Sequence, residues 1–303
     1  MIGRFEKVAK WYGSVIGLVE ATVEIGPGVT GLLGPNGSGK STFLKLLTGQ
    51  LTPSQGTVEL MGVNPFASSA VHRGVGFMPE PDAFYDDLTG YAFTLYLTRL
   101  HGFGRAEAGR RAEGALDAVG LLGDSRRRVR GYSKGMRQRL KLAQAIAHDP
   151  EVLVLDEPLT GMDPVWRRRV MDLVRTRAAA GVAVIVSSHI LHEVEGMADQ
   201  LILLYQGRVK AHGTQGDIRA VLSHYPHRIH LGTQRPKELA HCLLDLEGVV
   251  SLQLEEKGVE VKTLNPELLF DRLPELVVKT GIPVDQLSSE DVGLDAIFEY
   301  LTT

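Results

Sequence analysis

The chain has 303 residues, 23% of them charged and 44% hydrophobic, with a formal net charge of −3. That length allows one large domain or two of common size, and the charge balance excludes the basic excess of a dedicated nucleic-acid binder. The single cysteine, Cys242, excludes an internal disulfide framework and fits a reducing compartment; it reads as a small buried helix residue. No stretch approaches the ~20 apolar residues of a transmembrane helix. The opening MIGRFEKVAKWYG carries charge throughout and lacks the apolar centre of a signal peptide. A soluble chain is expected, with membrane contact only through a partner.

In chain order, LVEATVEIGPG alternates apolar Val19, Ala21, Val23 and Ile25 with polar Glu20, Thr22 and Glu24, which predicts a half-buried strand ended by a Gly-Pro-Gly turn. TGLLG reads as a short buried strand entering a glycine-rich loop, and STFLKLLTG as the helix after it. From about residue 87 to 147 the pattern is helical and basic. There YSKGMRQRL, residues 132–140, puts Ser133 where a helix N-cap belongs. Met136, Leu140, Ala143 and Ala147 follow on one buried face. VLVLDEP and VAVIVSSH are unalternating hydrophobic runs, as expected of parallel strands covered on both faces. LILLYQGRVKAHG reads as two strands joined by a Gln-Gly turn. Beyond about residue 218, HRIHL, RPKELAHCLLDL, VVSLQLEEKGVEVKTL, NPELLFDRLPELVVKTG and IPVDQL predict strand, helix, hairpin, helix, strand. That order is the ferredoxin-like split βαβ module. The expected domains are therefore 1–218 and 219–303.

Three segments carry chemistry. In GPNGSGKS, Gly34 is followed after four residues by Gly39, Lys40 and Ser41. Glycines there let backbone N–H groups close around a polyphosphate, Lys40 reaches the β and γ phosphates, and the Ser41 hydroxyl ligates Mg²⁺. VLVLDEP ends a buried strand in two carboxylates, which is costly unless they meet a cation or a proton task. Asp156 suits the Mg²⁺ shell, directly or through water, and Glu157 suits a general base for the water attacking a γ-phosphate. His189 follows the end of VAVIVSS, where ligands gather in open α/β sheets, and is a candidate γ-phosphate contact.

Together these residues resemble the ATP-binding subunits of ABC transporters over roughly residues 2–215. Tyr12 in KWYGS is similar to the aromatic that stacks on adenine, with Trp11 as a second candidate. Gly34, Pro35, Asn36, Gly37, Ser38, Gly39, Lys40, Ser41 and Thr42 match the Walker A loop. YSKGM stands where the family has its LSGGQ signature, retaining Ser133 and Gly135. Asp156 and Glu157 match Walker B and the catalytic glutamate, Asp163 the D-loop, and His189 the switch histidine. Glu80 stands in place of the Q-loop glutamine and could still accept from metal-bound water. Lys134 and Met136 replace a glycine and the glutamine of the signature.

The resemblance implies an α/β fold, the P-loop NTPase ABC cassette. It has a mixed core sheet, an antiparallel β subdomain and a helical subdomain at about 87–147, followed here by a small α+β C-terminal domain. It also implies ATP and Mg²⁺ as ligands, and a head-to-tail pair in which Ser133 caps the nucleotide of a second ATP-binding subunit. An integral membrane transporter subunit is the implied partner, reached on the cytoplasmic side of the membrane, and nucleic acid is not expected. The basic run RRRVR, 126–130, reads as a solvated face. The gap of 93 residues from Lys40 to Ser133 (133 − 40) leaves no room for the coiled coils of chromosome ATPases. The ending SSEDVGLDAIFEYLTT resembles ABC-2 exporters of drugs, lipids or polysaccharides. The alternative is a soluble ABC ATPase acting on nucleic acid or ribosomes. A P-loop GTPase or kinase comes third, for which the guanine motif is missing.

Overall fold

The computed structural model describes residues 1–190, 193–194, 196–222, 226–244 and 246–289. The chain divides between Gln215 and Gly216 into two compact units.

In the first unit, β1 (Gly3–Tyr12), β2 (Val15–Ile25) and β4 (Gln55–Leu60) make an antiparallel sheet in the order β2-β1-β4. A six-stranded sheet runs β5-β6-β7-β3-β8-β9, from β5 (Val75–Met78), β6 (Val152–Leu155), β7 (Ala183–Ser188), β3 (Val29–Leu33), β8 (Gln200–Tyr205) and β9 (Arg208–Gly213). Its first five strands are parallel and β9 is antiparallel to β8. The β8-β9 connection is Gln206-Gly207, both with positive φ, the backbone that a tight hairpin requires. Every residue of β3, β6 and β7 is buried, which is why these runs do not alternate. On β9, Arg208 and Lys210 point to the exposed side of an edge strand.

Helix α1 (Lys40–Leu47) is held between the two sheets: Phe43 stacks on Phe5 of β1 with ring centroids 4.0 Å apart, in a core shared with Leu32, Leu44 and Ile185. Strand β2 departs from the alternation expected of it. Leu18 is fully buried and Val19 only partly, because Glu20 lies at φ 48° and inserts a bulge that shifts the phase by one residue. Lys7 of β1 has the same positive φ beside a register shift of its own.

A short α2 (Ser69–Gly74) precedes β5, and α6 (Pro164–Ala179) joins β6 to β7. Between β5 and β6 come α3 (Gly90–Leu100), α4 (Arg105–Ala118) and α5 (Lys134–Ile146), packed on one another. Thr89 caps α3 by accepting from the N–H of Ala92 at 3.1 Å. The arginines at 126–128 and 130 are exposed and engaged locally. Arg127 pairs with Asp124, Arg128 and Arg130 with Asp87, and Arg126 lies over the Tyr91 ring.

The second unit begins in α7 (Gln215–Leu222). Strands β10 (His227–Gly232), β11 (Val249–Glu255), β12 (Gly258–Thr263) and β13 (Gln286–Ser289) form an antiparallel sheet in the order β11-β12-β10-β13. Helices α8 (Pro236–Leu243) and α9 (Pro266–Thr280) complete a strand-helix-hairpin-helix-strand order, the split βαβ arrangement. Ile229, Leu231, Leu239, Leu243, Val261 and Leu269 build its core. Cys242 is half-buried against that core rather than fully buried. The last strand starts at Gln286, later than IPVDQL predicts. Ile282 is buried in the core, and Pro283, which has no N–H for a ladder, instead accepts from Thr233 Oγ1 at 2.7 Å. Most of the segment SSEDVGLDAIFEYLTT, from residue 290 onward, lies outside the described residues.

Each unit has its own core. Residues 1–215 alone are therefore expected to be soluble and to melt in one cooperative transition. Circular dichroism of the truncated chain checks this, and an aggregated or non-cooperative product would show that residues 216–303 are needed for folding.

Candidate functional site

The loop from Gly34 to Gly39 leaves β3 and enters α1. Two of its glycines are required sterically. A Cβ on Gly34 would lie 2.3 Å from Ser38 Oγ and 2.4 Å from the Leu204 carbonyl, and Gly39 has φ 107° with the Gly17 carbonyl 2.5 Å from where a Cβ would stand. Helix α1 has no side-chain cap and no acidic residue in its first turn, so its leading N–H groups remain available to an anion. Lys40 is buried. Its Nζ donates to the carbonyls of Gly34 (2.6 Å) and Pro35 (3.3 Å) and lies 3.4 Å from Glu157 Oε1.

A cleft of about 420 Å³ opens over this loop, lined by Tyr12, residues 35–42, Glu80, Asp156 and Glu157. Tyr12 reaches it with its hydroxyl 3.4 Å from Thr42 Oγ1. Trp11 is not among the lining residues, and its backbone N–H donates to Ser54 Oγ. Of the two aromatic candidates, Tyr12 is the one that lines the cleft. Glu80 is exposed at the rim.

Asp156 is 3% exposed and Glu157 6%. Carboxylates so deeply placed need partners, and β7 supplies them. Ser187 Oγ donates to Asp156 Oδ1 at 2.6 Å and accepts the Glu157 N–H at 2.8 Å. Glu157 Oε2 accepts from His189 Nδ1 at 2.9 Å and from Thr160 Oγ1 at 3.4 Å. Its other oxygen, Oε1, is buried with no hydrogen bond, as is Ser38 Oγ in the loop opposite. Oε1 faces only the Lys40 ammonium, so two polar atoms without hydrogen bonds border one cleft, and a polar ligand would satisfy them. The Glu157 backbone has φ 50°, a left-handed conformation costing a non-glycine residue about 1–3 kcal/mol. Its carbonyl accepts from Gln138 Nε2 of α5 at 2.7 Å.

Ser133 caps α5, accepting the Met136 N–H at 3.3 Å. Leu140, Ala143 and Ala147 are buried behind it and Met136 only partly. Asp163 caps α6 through the N–H groups of Val165 and Trp166. Ser133, Gly135 and Asp163 do not line the cleft. Along a second edge, Lys134 lies against Gly161, two residues before Asp163, and a Cβ on Gly135 would meet the Gly161 carbonyl at 3.5 Å. Arg167 ties this edge to the histidine loop. Its Nε donates to the Met162 carbonyl, and its Nη1 to buried Glu193, which also accepts from Ser188 Oγ beside His189.

Sequence reasoning missed the polar stripe along α5 and the turn just past its end. Besides Gln138, Lys141 Nζ donates to the Glu80 carbonyl at 2.5 Å, Gln144 Nε2 to that of Phe77 at 2.7 Å, and His148 Nε2 lies 3.1 Å from that of Val75. These residues recur every three or four positions, the spacing of one helix face, and that periodicity was the available signal. Burial holds the Lys141 ammonium below its usual range. His148 stacks on His101 with ring centroids 3.7 Å apart, and burial, helped by His101, lowers its pKa to about 4.

A glycine loop between the buried strand β3 and a helix, facing two carboxylates at the end of β6 across the intervening β7, defines the P-loop nucleotide-binding class. The chain belongs to the ABC transporter family, whose family model matches residues 19–160. It is 34% identical over 278 residues to the daunorubicin/doxorubicin resistance ATP-binding protein DrrA of Streptomyces peucetius, covering 90% of this chain and 84% of that protein. It is 37% identical over 188 residues to the uncharacterized ABC transporter ATP-binding protein YxlF of Bacillus subtilis. That match spans 62% of each, so under two thirds of the relative's length is covered. Among solved structures, the ATP-binding subunit of an ABC transporter superposes with a TM-score of 0.67 at 28% identity. The superposition covers 73% of this chain and 93% of that one.

The buried imidazole gives a pH dependence of known sign. His148 has its folded pKa near 4 against an ordinary value of 6.5, so between those values the unfolded chain takes up a proton that the folded chain does not. Stability is present above pH 6.5 and is lost as pH falls towards 4. Urea denaturation should show wild type losing up to about 2 kcal/mol more than His148→Phe between pH 7 and pH 5. Parallel pH profiles would assign the imidazole an ordinary pKa.

Proposed function

We propose that this chain hydrolyses ATP and thereby energises transport through a separate membrane subunit, as part of an ABC-2 type exporter. The observation that carries the reading is the single cleft joining the glycine loop, Lys40 and two buried carboxylates, with Glu157 Oε1 and Ser38 Oγ left without hydrogen bonds. Tyr12 stacks on the adenine. Gly34 and residues 36–39 cradle the phosphates with their N–H groups, Pro35 shaping the same loop without donating, alongside the Thr42 hydroxyl. Lys40 meets the β and γ phosphates. Glu157, between Lys40 and His189, accepts the proton of the attacking water, and His189 contacts the γ-phosphate.

The donors fit Mg²⁺. Ser41, Asp156 and Glu80 offer hard oxygens at the cleft, and no group of three or more His, Cys, Asp or Glu is gathered for a metal among the described residues. A sparse protein shell completed by substrate phosphates is the habit of Mg²⁺. When bound, the ion neutralises phosphate charge. Ser41 and Asp156 would hold it, Glu80 would accept from its water, and Ser187 orients Asp156.

Ser133, Gly135 and Asp163 serve a different nucleotide, that of a second ATP-binding subunit paired head to tail. Their position away from the chain's own cleft supports this, as does the exposed N-terminus of α5. The name of the Streptomyces peucetius relative, a drug-resistance ATP-binding protein, supports export. No helix among the described residues is long and apolar enough to cross a membrane, in keeping with a peripheral subunit on the cytoplasmic side. The arginines of 126–130 are engaged with acids or an aromatic, which favours transport over action on nucleic acid.

Glu157→Gln should retain ATP binding and lose turnover by about 10²- to 10⁴-fold, the usual contribution of a general base. Single-turnover hydrolysis beside equilibrium binding checks this, and a rate close to wild type would remove Glu157 from that role.

The pairing has its own test. Ser133→Arg should bind ATP as wild type does yet fail to hydrolyse it, and wild-type ATPase per mole should fall on dilution below the dimer affinity. Specific activity that stays constant in a demonstrated monomer, untouched by Ser133→Arg, would rule the shared site out.

A further inference from the structure

The Glu157 carboxylate is aimed by a backbone that would not adopt its conformation unaided. Glu157 sits at φ 50°, and its peptide groups are clamped from two elements. The N–H is taken by Ser187 of β7, while the carbonyl is taken by Gln138 of α5. Gln138 is 6% exposed, and its amide donates also to the Pro158 carbonyl at 3.2 Å, so both donor hydrogens are spent on this one turn. The residue lies on the second turn of the helix that Ser133 caps. On the first turn of the same helix, Lys134 and Gly135 rest on Gly161, two residues before Asp163. One rigid helix therefore carries at its tip the group assigned to the partner's nucleotide, and one turn behind it the amide that fixes the base of its own site.

We propose that Gln138 is a positioning residue for hydrolysis. Its amide holds the turn that directs Glu157 into the cleft, so a displacement of α5, when its N-terminus meets the nucleotide of the second subunit, is delivered to Glu157 of the same chain. The inference rests on the reading of Glu157 as base and Ser133 as cap. Neighbouring bonds favour a transmitting helix over simple packing. Lys141, one turn on, holds the Glu80 carbonyl at the cleft rim, so two of the groups assigned to hydrolysis hang from α5 by donor side chains.

The test uses the full-length protein and three substitutions. Gln138→Met keeps the volume without the donor, Gln138→Glu sets oxygens against the two carbonyls, and Gln138→Lys keeps a donor, as Lys141 does. Steady-state ATPase, equilibrium binding of ATP and thermal melting are measured on each. Gln138→Met and Gln138→Glu should lower kcat by at least about tenfold, with ATP affinity within about twofold of wild type, since only the aim of the base is lost. Gln138→Lys should recover most of kcat. In a Glu157→Gln background, Gln138→Met should leave the residual rate unchanged, because it acts through a carboxylate no longer there.

The proposal is overturned if Gln138→Met turns over at the wild-type rate. It is equally overturned if all three substitutions, Lys included, lose activity in step with melting temperature, or if Gln138→Met lowers the residual rate of Glu157→Gln as much as that of wild type. Should Gln138→Met fail to fold, Gln138→Asn is read in its place, since it keeps the amide but withdraws it by one methylene. A wild-type rate in Glu157→Gln alone would instead sink the base assignment, and this inference with it.

Discussion

Two carboxylates at the end of a buried strand set the terms for the rest of the first unit. Asp156 and Glu157 are almost out of reach of water, where an unpartnered charge would cost several kcal/mol. Each surrounding element contributes one group to meet that cost: β7 a hydroxyl, the phosphate loop an ammonium, the turn after Glu157 a threonine, and the loop after β7 an imidazole. What is left over defines the site. After these partners are counted, one carboxylate oxygen faces only Lys40, and the serine opposite has no hydrogen-bond partner.

The second organising feature is the seam between α5 and β5. Strand β5 has only four residues and one paired neighbour, β6. The chain supplies one amide and one lysine from α5, and a histidine just past its end, to carbonyls within and beyond β5. Such donors are costly to bury and lose much of that cost once hydrogen-bonded. The helical layer is thus joined to the sheet by directional bonds rather than by apolar packing alone, which fixes its register on β5.

The sequence revealed the parts whose chemistry demands contiguous residues. GPNGSGKS and VLVLDEP are legible because a phosphate cradle needs glycines at fixed offsets and a buried strand needs an unbroken apolar run. Ser133 was legible as a cap for the same local reason. Other features are set by tertiary context. Nothing marks Lys7 and Glu20 as residues with positive φ, so the bulges that rephase β1 and β2 could not be foreseen. Gln138, Lys141, Gln144 and His148 look like an ordinary solvated face until β5 and the turn after β6 are placed beneath them. The late start of β13 follows from Ile282 joining the core, a tertiary preference that the run IPVDQL does not announce.

The two borders of the six-stranded sheet have a consequence for how this molecule can associate. At one border the carbonyls in and around β5 are taken by α5; at the other, β9 presents Arg208 and Lys210 along its outer side. Both are recognised defences against a foreign strand. Growth of this sheet by strand addition is therefore discouraged at either end, which leaves loops and helix termini to the pairing proposed above. Contacts of that kind form and break without disturbing the hydrogen-bond ladder, so under the proposed pairing a shared nucleotide would be gripped and released while the sheet itself stays closed.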